Sequence, residues 1–337
     1  MTIYDIAKEA NVSIATVSRV LNGSATVSPK TREKVAQAMK KLNYTPNPFA
    51  RGLTLNTMRV IGVVCSDVGD AFYAKAVSIL ETELRSHNFD IVLCCTGSGT
   101  QPKQKYISDL KNKYVDAMII IGSPLAATAD IHYLKELSKT TPIITINSNY
   151  HLPEGFSIVC DEEAGIFQLV SLLAARGCQA IAYLYDALTH SGRQKLNGYT
   201  KGIAHHQLSQ EPKLIQQIDR SLESASAAIE TLLEQQIPID AIITSEDLLA
   251  VGAQRTILAH EKTTNTEHTI PVIGCNNSVL AECATPTLTS LDNRLDLLCQ
   301  KAVELCITLL NGDTLDEQRD YRVEARLEYR ESFSIRS

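Results

Sequence analysis

The chain has 337 residues, a formal net charge of −6 and nine cysteines. It has no signal peptide and no apolar run of about 18 residues, so neither export nor membrane insertion is supported. The cysteines include the adjacent pair Cys94-Cys95 but no C-x-x-C spacing. No metal centre is therefore indicated, and cysteines set in apolar segments fit buried small hydrophobes in a reducing cytoplasm.

In chain order, Thr2 and Asp5 have the spacing of a helix-capping pair. Ile6, Ala7 and Ala10 give the helix that follows an apolar face. Asn11-Val12 makes a tight turn, and Ser13 opens a second helix over roughly 14–21. On it Val17, Val20 and Leu21 face inward, leaving Ile14, Ala15, Ser18 and Arg19 outward. Ser28-Pro29 starts a third helix, with Val35, Met39 and Leu42 as its buried stripe. Two short helices joined by a tight turn and braced by a third make a helix-turn-helix head over 1–45, the alternative being a three-helix interaction module that binds no DNA. The second helix of such a head enters the major groove of DNA.

Charge supports that reading. Residues 1–60 hold nine Lys and Arg against three acids, a net +6, so residues 61–337 carry −12. Phosphate attraction belongs to the head alone, and its binding should weaken steeply with salt. Residues 46–59 form a hinge and linker. Asn47-Pro48 is a helix start, but Phe49 to Leu53 make barely two turns and include Gly52. So short a helix is marginal in water and should fold on DNA.

The body, 60–337, alternates strand and helix patterns. Apolar runs at Val60–Cys65, Ile91–Cys95, Ala117–Ile121, Ile143–Ile146, Ala180–Tyr185, Ala241–Thr244 and Val272–Cys275 read as buried parallel strands. Helical periodicity separates them at 71–87, 161–176, 192–207, 222–236, 246–260 and 293–311. The fold class is α/β with a doubly wound parallel-sheet body, large enough for two subdomains. Ligands in such sheets bind beyond the carboxyl ends of the strands. The effector-site candidates at those ends are Asp70, Phe72, Tyr73, Ser123, Asn147, Asp161, Arg193, Lys195, Glu246, Asp247 and Asn276. Carboxylates, amides and a cation around an aromatic suit a polyhydroxylated ligand. Each also has an ordinary alternative as a cap or hinge hydrogen bond, an even match for Asp161 and Asp247. No catalytic constellation stands out: His205-His206 reads as solvated surface and Gly97-Ser98-Gly99 as a plain loop. An enzyme is not expected, nor a cofactor. Val77, Leu80 and Leu84 in 71–87 are either a dimer face or internal core.

The segments TIYDIAKEANVSIATVSRVLNG, VSPKTREKV and NYTPNPFARGL, together with the body, resemble the LacI/GalR family of bacterial repressors. The resemblance spans nearly the whole chain. It implies a homodimer on a near-palindromic operator and a body of the periplasmic-binding-protein type, crossed three times by the chain. One subdomain would take about 61–157 plus 287–318, the other about 158–286 plus 319–337. It also implies residue roles. Ile14, Ala15 and Arg19 occupy base-reading positions, with Arg19 the bidentate partner of a guanine. Thr2, Tyr4, Thr16, Ser18, Asn22, Ser28 and Thr31 match phosphate-holding positions, where a cap or solvated surface is the alternative. Asn47, Ala50 and Leu53 belong to the hinge at the DNA. Leu53 either wedges into the minor groove or packs on its dimer mate.

The sequence departs from the family's pattern at three places. Lys195 stands where an arginine is usual, Glu246-Asp247 where Asn-Asp is frequent, and Asn276 where Asp is. Arg193 is a nearby source of a planar fork instead. The expectation is a repressor of carbohydrate-uptake or catabolic genes controlled by a sugar-like effector. The alternatives are control by a protein such as a phosphocarrier of sugar uptake, or a ligand-binding protein without regulatory coupling. No leucine heptad follows the RVEARLEYRESF end, which points to a dimer rather than a tetramer.

Overall fold

A computed structural model describes the chain except residues 22–25, 45–56, 98–102, 126, 265–269, 314–317 and 335–337. The chain divides into two compact units, Met1–Val60 with Tyr114–Asp116, and the remainder.

The first unit carries three helices, α1 (Ile3–Ala10), α2 (Ile14–Leu21) and α3 (Pro29–Lys41). The Asp5 carboxylate accepts hydrogen bonds from Thr2 N and Thr2 Oγ1, at 2.8 and 3.0 Å. Asn11 closes α1 in the left-handed conformation (φ 54°), which a short polar side chain tolerates. Ser13 Oγ accepts from Thr16 N at 3.1 Å. Pro29 takes the first position of α3, where its missing N–H costs no bond, and Ser28 caps it through Thr31 N. Ile6, Ala7, Ala10, Val17, Val35 and Ala38 form the buried core, with Val20, Leu21, Met39 and Leu42 packed against it. Beyond the head, the Asp116 carboxylate accepts from Thr57 Oγ1, Met58 N and Val60 N at 2.9–3.0 Å. The expected hinge, with Asn47, Ala50 and Leu53, and the expected phosphate contact Asn22 lie outside the described residues.

The second unit contains two six-stranded sheets. The first is ordered β11-β5-β4-β3-β1-β2, from β1 (Val60–Cys65), β2 (Asp90–Cys95), β3 (Ala117–Ile121), β4 (Ile143–Ile146), β5 (Phe156–Asp161) and β11 (Asp320–Glu324). The second is ordered β12-β10-β9-β8-β6-β7, from β6 (Ile181–Tyr185), β7 (Ile215–Gln217), β8 (Ala241–Thr244), β9 (Val272–Cys275), β10 (Thr289–Asp292) and β12 (Arg326–Glu328). The β1–β3, β3–β4, β6–β8 and β8–β9 pairs are parallel. Their strands are buried almost throughout, which is why they read as continuous apolar runs.

Helices α4 (Ala71–Ser86), α5 (Gln104–Asn112) and α6 (Thr128–Ser138) connect strands of the first sheet. Helices α7 (Glu162–Ala175), α8 (His190–His205), α9 (Leu222–Glu234), α10 (Asp247–Thr264) and α11 (Val279–Cys283) precede or connect strands of the second. Helix α12 (Leu295–Asn311) returns to the first: Leu298, Ala302 and Cys306 join the core of β1, β3 and β4. Leu80 and Leu84 of α4 are fully buried in that same core, so these two are internal core rather than a dimer face, while Val77 packs against it half-buried.

The sheet memberships correct the expected subdomain limits. The breaks expected at 157/158, 286/287 and 318/319 would cut β5 at Ser157 or fall just ahead of β10 and β11. Instead β5 stays whole in the first sheet, β10 belongs to the second, and β11 pairs parallel with β5 in the first. The chain therefore changes sheet at about 161, 293 and 325. A strand half-transferred would leave ladder N–H and C=O groups unpaired, so the change falls in the loop past a strand's end.

Candidate functional site

Two places bring candidate side chains together. On the head, Ile14, Ala15 and Arg19 are all exposed on one side of α2, while Val17 is buried on the other. Ile14 keeps 41% and Tyr4 67% of their surfaces in solvent, although burying either would be favourable. The hydroxyl groups are already engaged locally. Thr2 Oγ1 donates to Asp5, and the Ser13–Thr16 and Ser28–Thr31 hydroxyl pairs lie 2.8 and 2.9 Å apart. Thr2 thus stands at the start of α1, Thr16 in the first turn of α2, and Ser28 and Thr31 at the start of α3. Ser18 is half-buried within α2.

The second place is the cleft beyond the strand ends of the body. Its inner space is roughly 110 Å³ and lies among Asp70, Tyr73, Asn147, Asp186, Lys195 and Asn276. An adjoining space of roughly 390 Å³ shares Asp70, Phe72, Arg220, Glu246 and Asn276 with it.

Lys195 forms the floor. It lies on the inner face of α8, 4% exposed, and its ammonium donates to Ser245 O at 2.9 Å and Asn276 Oδ1 at 3.0 Å. Glu162, 1% exposed, faces it at 3.3 Å. Burial alone would lower the Lys195 pKa, but Glu162, with Cys275 and Glu246 behind it, holds it above the ordinary lysine range. Asn147 lies across the floor: its Nδ2 donates to Glu162 Oε1 at 3.4 Å and its Oδ1 accepts from Cys160 N at 3.2 Å. Asn293 donates to Asn276 Oδ1 at 3.2 Å. Two buried acceptors here, Glu162 Oε2 and Asn293 Oδ1, have no hydrogen-bond partner among the described residues. Such groups are costly unless something supplies a donor.

Asp70 caps α4 by accepting from Phe72 N at 2.6 Å. Its other oxygen pairs with Arg220, whose Nε donates to Glu246 Oε1 at 2.5 Å. One guanidinium thus bridges carboxylates of both sheets' loops. Burial, with Asp186 and Asp70 nearby, pushes the Glu246 carboxyl up to about 7, against the pull of Arg220. Phe72 and Tyr73 pack edge to face, centroids 5.2 Å apart. The Tyr73 ring lies over Gly122, at φ 66°, where a Cβ would come within 2.8 Å of the phenol oxygen. Ser123 Oγ accepts from His190 N at 3.4 Å, joining the two sides.

The geometry brings together Asp70, Phe72, Tyr73, Ser123, Asn147, Lys195, Glu246 and Asn276. Three expected residues take other roles. Asp161 caps α7 through Ala164 N and pairs with Arg322 at 3.2 Å. Arg193 is exposed and donates to Leu188 O at 2.5 Å. Two positions along a helix are turned by roughly 200°, so Arg193 and Lys195 cannot share one face. Asp247 accepts from Ser290 Oγ and Ser278 N, both at 2.6 Å, and ties α10 to β10 and α11 while bordering only the outer space. Asp186 and Arg220 line the cleft, and Glu162 backs Lys195, without having been read from the sequence. Glu162 was masked by the cap signal one residue before it. Arg220 follows β7, too short and polar to mark a strand end. Among the described residues no group of three or more His, Cys, Asp or Glu is placed to hold a metal ion. No helix among them is long and apolar enough to cross a membrane.

Known proteins share this fold. Residues 2–47 match the family model for bacterial regulatory proteins of the lacI family. Residues 58–324 match that for periplasmic binding proteins and the sugar binding domain of the LacI family. An HTH-type transcriptional regulator of Lachnoclostridium phytofermentans is 41% identical over 315 residues, covering 93% of this chain and 94% of its own. The Lac repressor dimer bound to operator and the anti-inducer ONPF superposes with a TM-score of 0.86 at 27% identity, covering 98% of each chain. A complex of the transcriptional regulator CelR with cellobiose matches with a TM-score of 0.70 at 26% identity, covering 99% of this chain and 100% of that one.

Proposed function

This chain belongs to the LacI family of bacterial regulatory proteins, and from that premise we propose that it represses carbohydrate-uptake or catabolic genes under the control of a small sugar-like effector bound in the cleft. It is a DNA-binding transcriptional regulator and not an enzyme. The effector reading rests above all on the lining of the cleft, where the carboxylates of Asp70, Asp186 and Glu246, the amides of Asn147 and Asn276 and the cations Lys195 and Arg220 face one space. A polyhydroxylated ligand brings O–H donors, and the Phe72 and Tyr73 rings suit the apolar face of a sugar. The cellobiose held by CelR supports a sugar as the ligand class.

On the DNA side, Arg19 reads a guanine edge while Ile14 and Ala15 give apolar contact to thymine methyls. Thr2, Tyr4, Thr16, Ser18, Asn22, Ser28 and Thr31 hold phosphates and set register. Asn47, Ala50 and Leu53 engage the centre of the operator, with Leu53 as the minor-groove wedge. The protein acts as a homodimer on a near-palindromic site, as the Lac repressor dimer does on its operator, and works in the cytoplasm. Effector binding changes the spacing of the two hinges and with it operator affinity; the coupling is reciprocal.

The test is a thermal-shift screen with neutral mono- and disaccharides, repeated with Asn276→Ala and followed by operator titration. A sugar should raise the melting temperature of the wild type, lose that effect in the variant, and change operator affinity. Stabilisation that survives Asn276→Ala, or a bound sugar that leaves operator affinity unchanged, overturns the reading. Stabilisation that appears only with a phosphocarrier protein transfers control to that partner.

A further inference from the structure

Cys65 and Cys95 take no part in the cleft's hydrogen bonds, yet they touch each other. They end the neighbouring strands β1 and β2, with sulfurs 3.8 Å apart. The backbone between them is tied by Thr96 N to Cys65 O at 3.0 Å and Gly97 N to Ser66 O at 2.9 Å. Neighbouring strands lie about 4.8 Å apart, within the roughly 4.4–6.8 Å Cα separation of a disulfide. Rotation of two side chains therefore closes the bond. Cys65 is fully buried, whereas Cys95 is exposed. Cys94 belongs to the opposite face of the β2 pleat.

We propose that Cys65 and Cys95 are a modification site, oxidised by a peroxide to an intrachain disulfide and restored by a thiol reductant. The Cys95 thiolate attacks one peroxide oxygen and the O–O bond breaks. The departing oxygen takes a proton and leaves as water, or as an alcohol from an organic peroxide. Cys95 is then a sulfenic acid. The Cys65 sulfur, giving up its proton, attacks the Cys95 sulfur, and the sulfenic hydroxyl leaves with that proton as water. Two thiols lose two electrons and the peroxide gains them. Burial and the adjacent Cys95 push the Cys65 thiol up to about 12, so the exposed cysteine reacts first and the buried one resolves it.

The place gives the bond a consequence. Cys65 immediately precedes the Ser66–Asp70 turn, and its side chain shares a core with Phe72, Tyr73 and Ala76 of α4. Oxidation would pin the edge strand to the strand that launches the loop carrying Asp70. This inference stands whatever ligand the cleft holds.

The test treats the full-length protein with hydrogen peroxide, blocks free thiols under denaturing conditions, and measures intact mass and linked peptides. The expected result is loss of the mass of two hydrogens and loss of alkylation at both Cys65 and Cys95. Dithiothreitol should restore both. The link should persist in Cys94→Ser and vanish in Cys95→Ser, a change at an exposed site that leaves the core intact. Cys65 remaining alkylatable while Cys95 passes to the sulfinic acid overturns the proposal. So does a link through Cys94, or one between two copies of the chain.

Discussion

The two sheets of the body repeat one backbone plan and divide its chemistry. Counted from one edge, the first runs β2-β1-β3-β4-β5 and the second β7-β6-β8-β9-β10, each with a late strand added. The added strand is parallel in the first, β11 on β5, and antiparallel in the second, β12 on β10. The correspondence reaches single residues. Asn147 follows β4 at φ 52° and donates N–H to Ile158 O at 2.7 Å; Asn276 follows β9 at φ 88° and donates to Leu291 O at 2.8 Å. Asparagine tolerates this left-handed backbone better than most residues. The side chains differ in kind. The first half brings the rings of Phe72 and Tyr73 and the cap carboxylate of Asp70, while the second brings both cations that line the cleft, Lys195 and Arg220. A repeated backbone fixes where cleft-facing positions fall, and the asymmetric side chains set the chemistry they present.

The largest test of this division is Lys195→Ala. Removing the ammonium strands Glu162 as a buried uncompensated charge, so unfolding free energy should fall by about 3–5 kcal/mol. Lys195→Met combined with Glu162→Gln should recover most of that loss in the same denaturant titration. Retention of full stability by the single variant would show that water already reaches this floor.

Glu246 tests the charge carried by the second half. Its proton is held more tightly in the folded than in the unfolded chain, with a folded value of about 7 against an ordinary 4.5. Its contribution is complete below the unfolded value and is lost as pH rises through about 7. The stability of the wild type relative to Glu246→Gln should therefore fall by roughly 2–3 kcal/mol between those limits. Parallel pH profiles of the two proteins would show that Arg220 keeps the carboxylate ionised throughout.

Gly122→Ala strikes the first half, at a positive φ and beneath the Tyr73 phenol. A loss of about 1–3 kcal/mol is expected, together with a shift in tyrosine fluorescence. Its counterpart after β8 is Ser245, which shows that the second half has no such need. Asp161→Ala should cost about 1 kcal/mol, the ordinary effect of removing a cap, and leave effector affinity unchanged. Arg193→Ala is the smallest change: under about 0.5 kcal/mol and no effect on effector binding, if Lys195 alone serves the cleft.

The sequence made the first-half strands plain wherever both faces are buried: VIGVVC and AMIII are apolar throughout because helices cover each side. It was quiet where strands are short or half-polar, as in IQQ of β7 and TSLD of β10. Those strands carry the sheet changes and the approach to Arg220, so the subdomain limits and that residue were misplaced or missed together. Strand ends identified eight cleft residues, because in parallel sheets position along the strand fixes the outlet. Inward or outward facing on the following helix is set by angle, and neither Arg193 against Lys195 nor Asp161 against Glu162 is decided by residue type.

The three places where the chain passes between the sheets, near 161, 293 and 325, have a mechanical meaning. Two bodies joined by a single strand of chain can swivel, tilt and twist about it. Three separate tethers remove most of that freedom and leave bending about their common line as the soft motion. Binding energy from the proposed effector at Lys195, Asn276 and the aromatic wall would therefore have few ways to be spent on disordered rocking. It would be delivered as one angular displacement, the kind of output that the proposed paired, spacing-sensitive DNA contact is able to read.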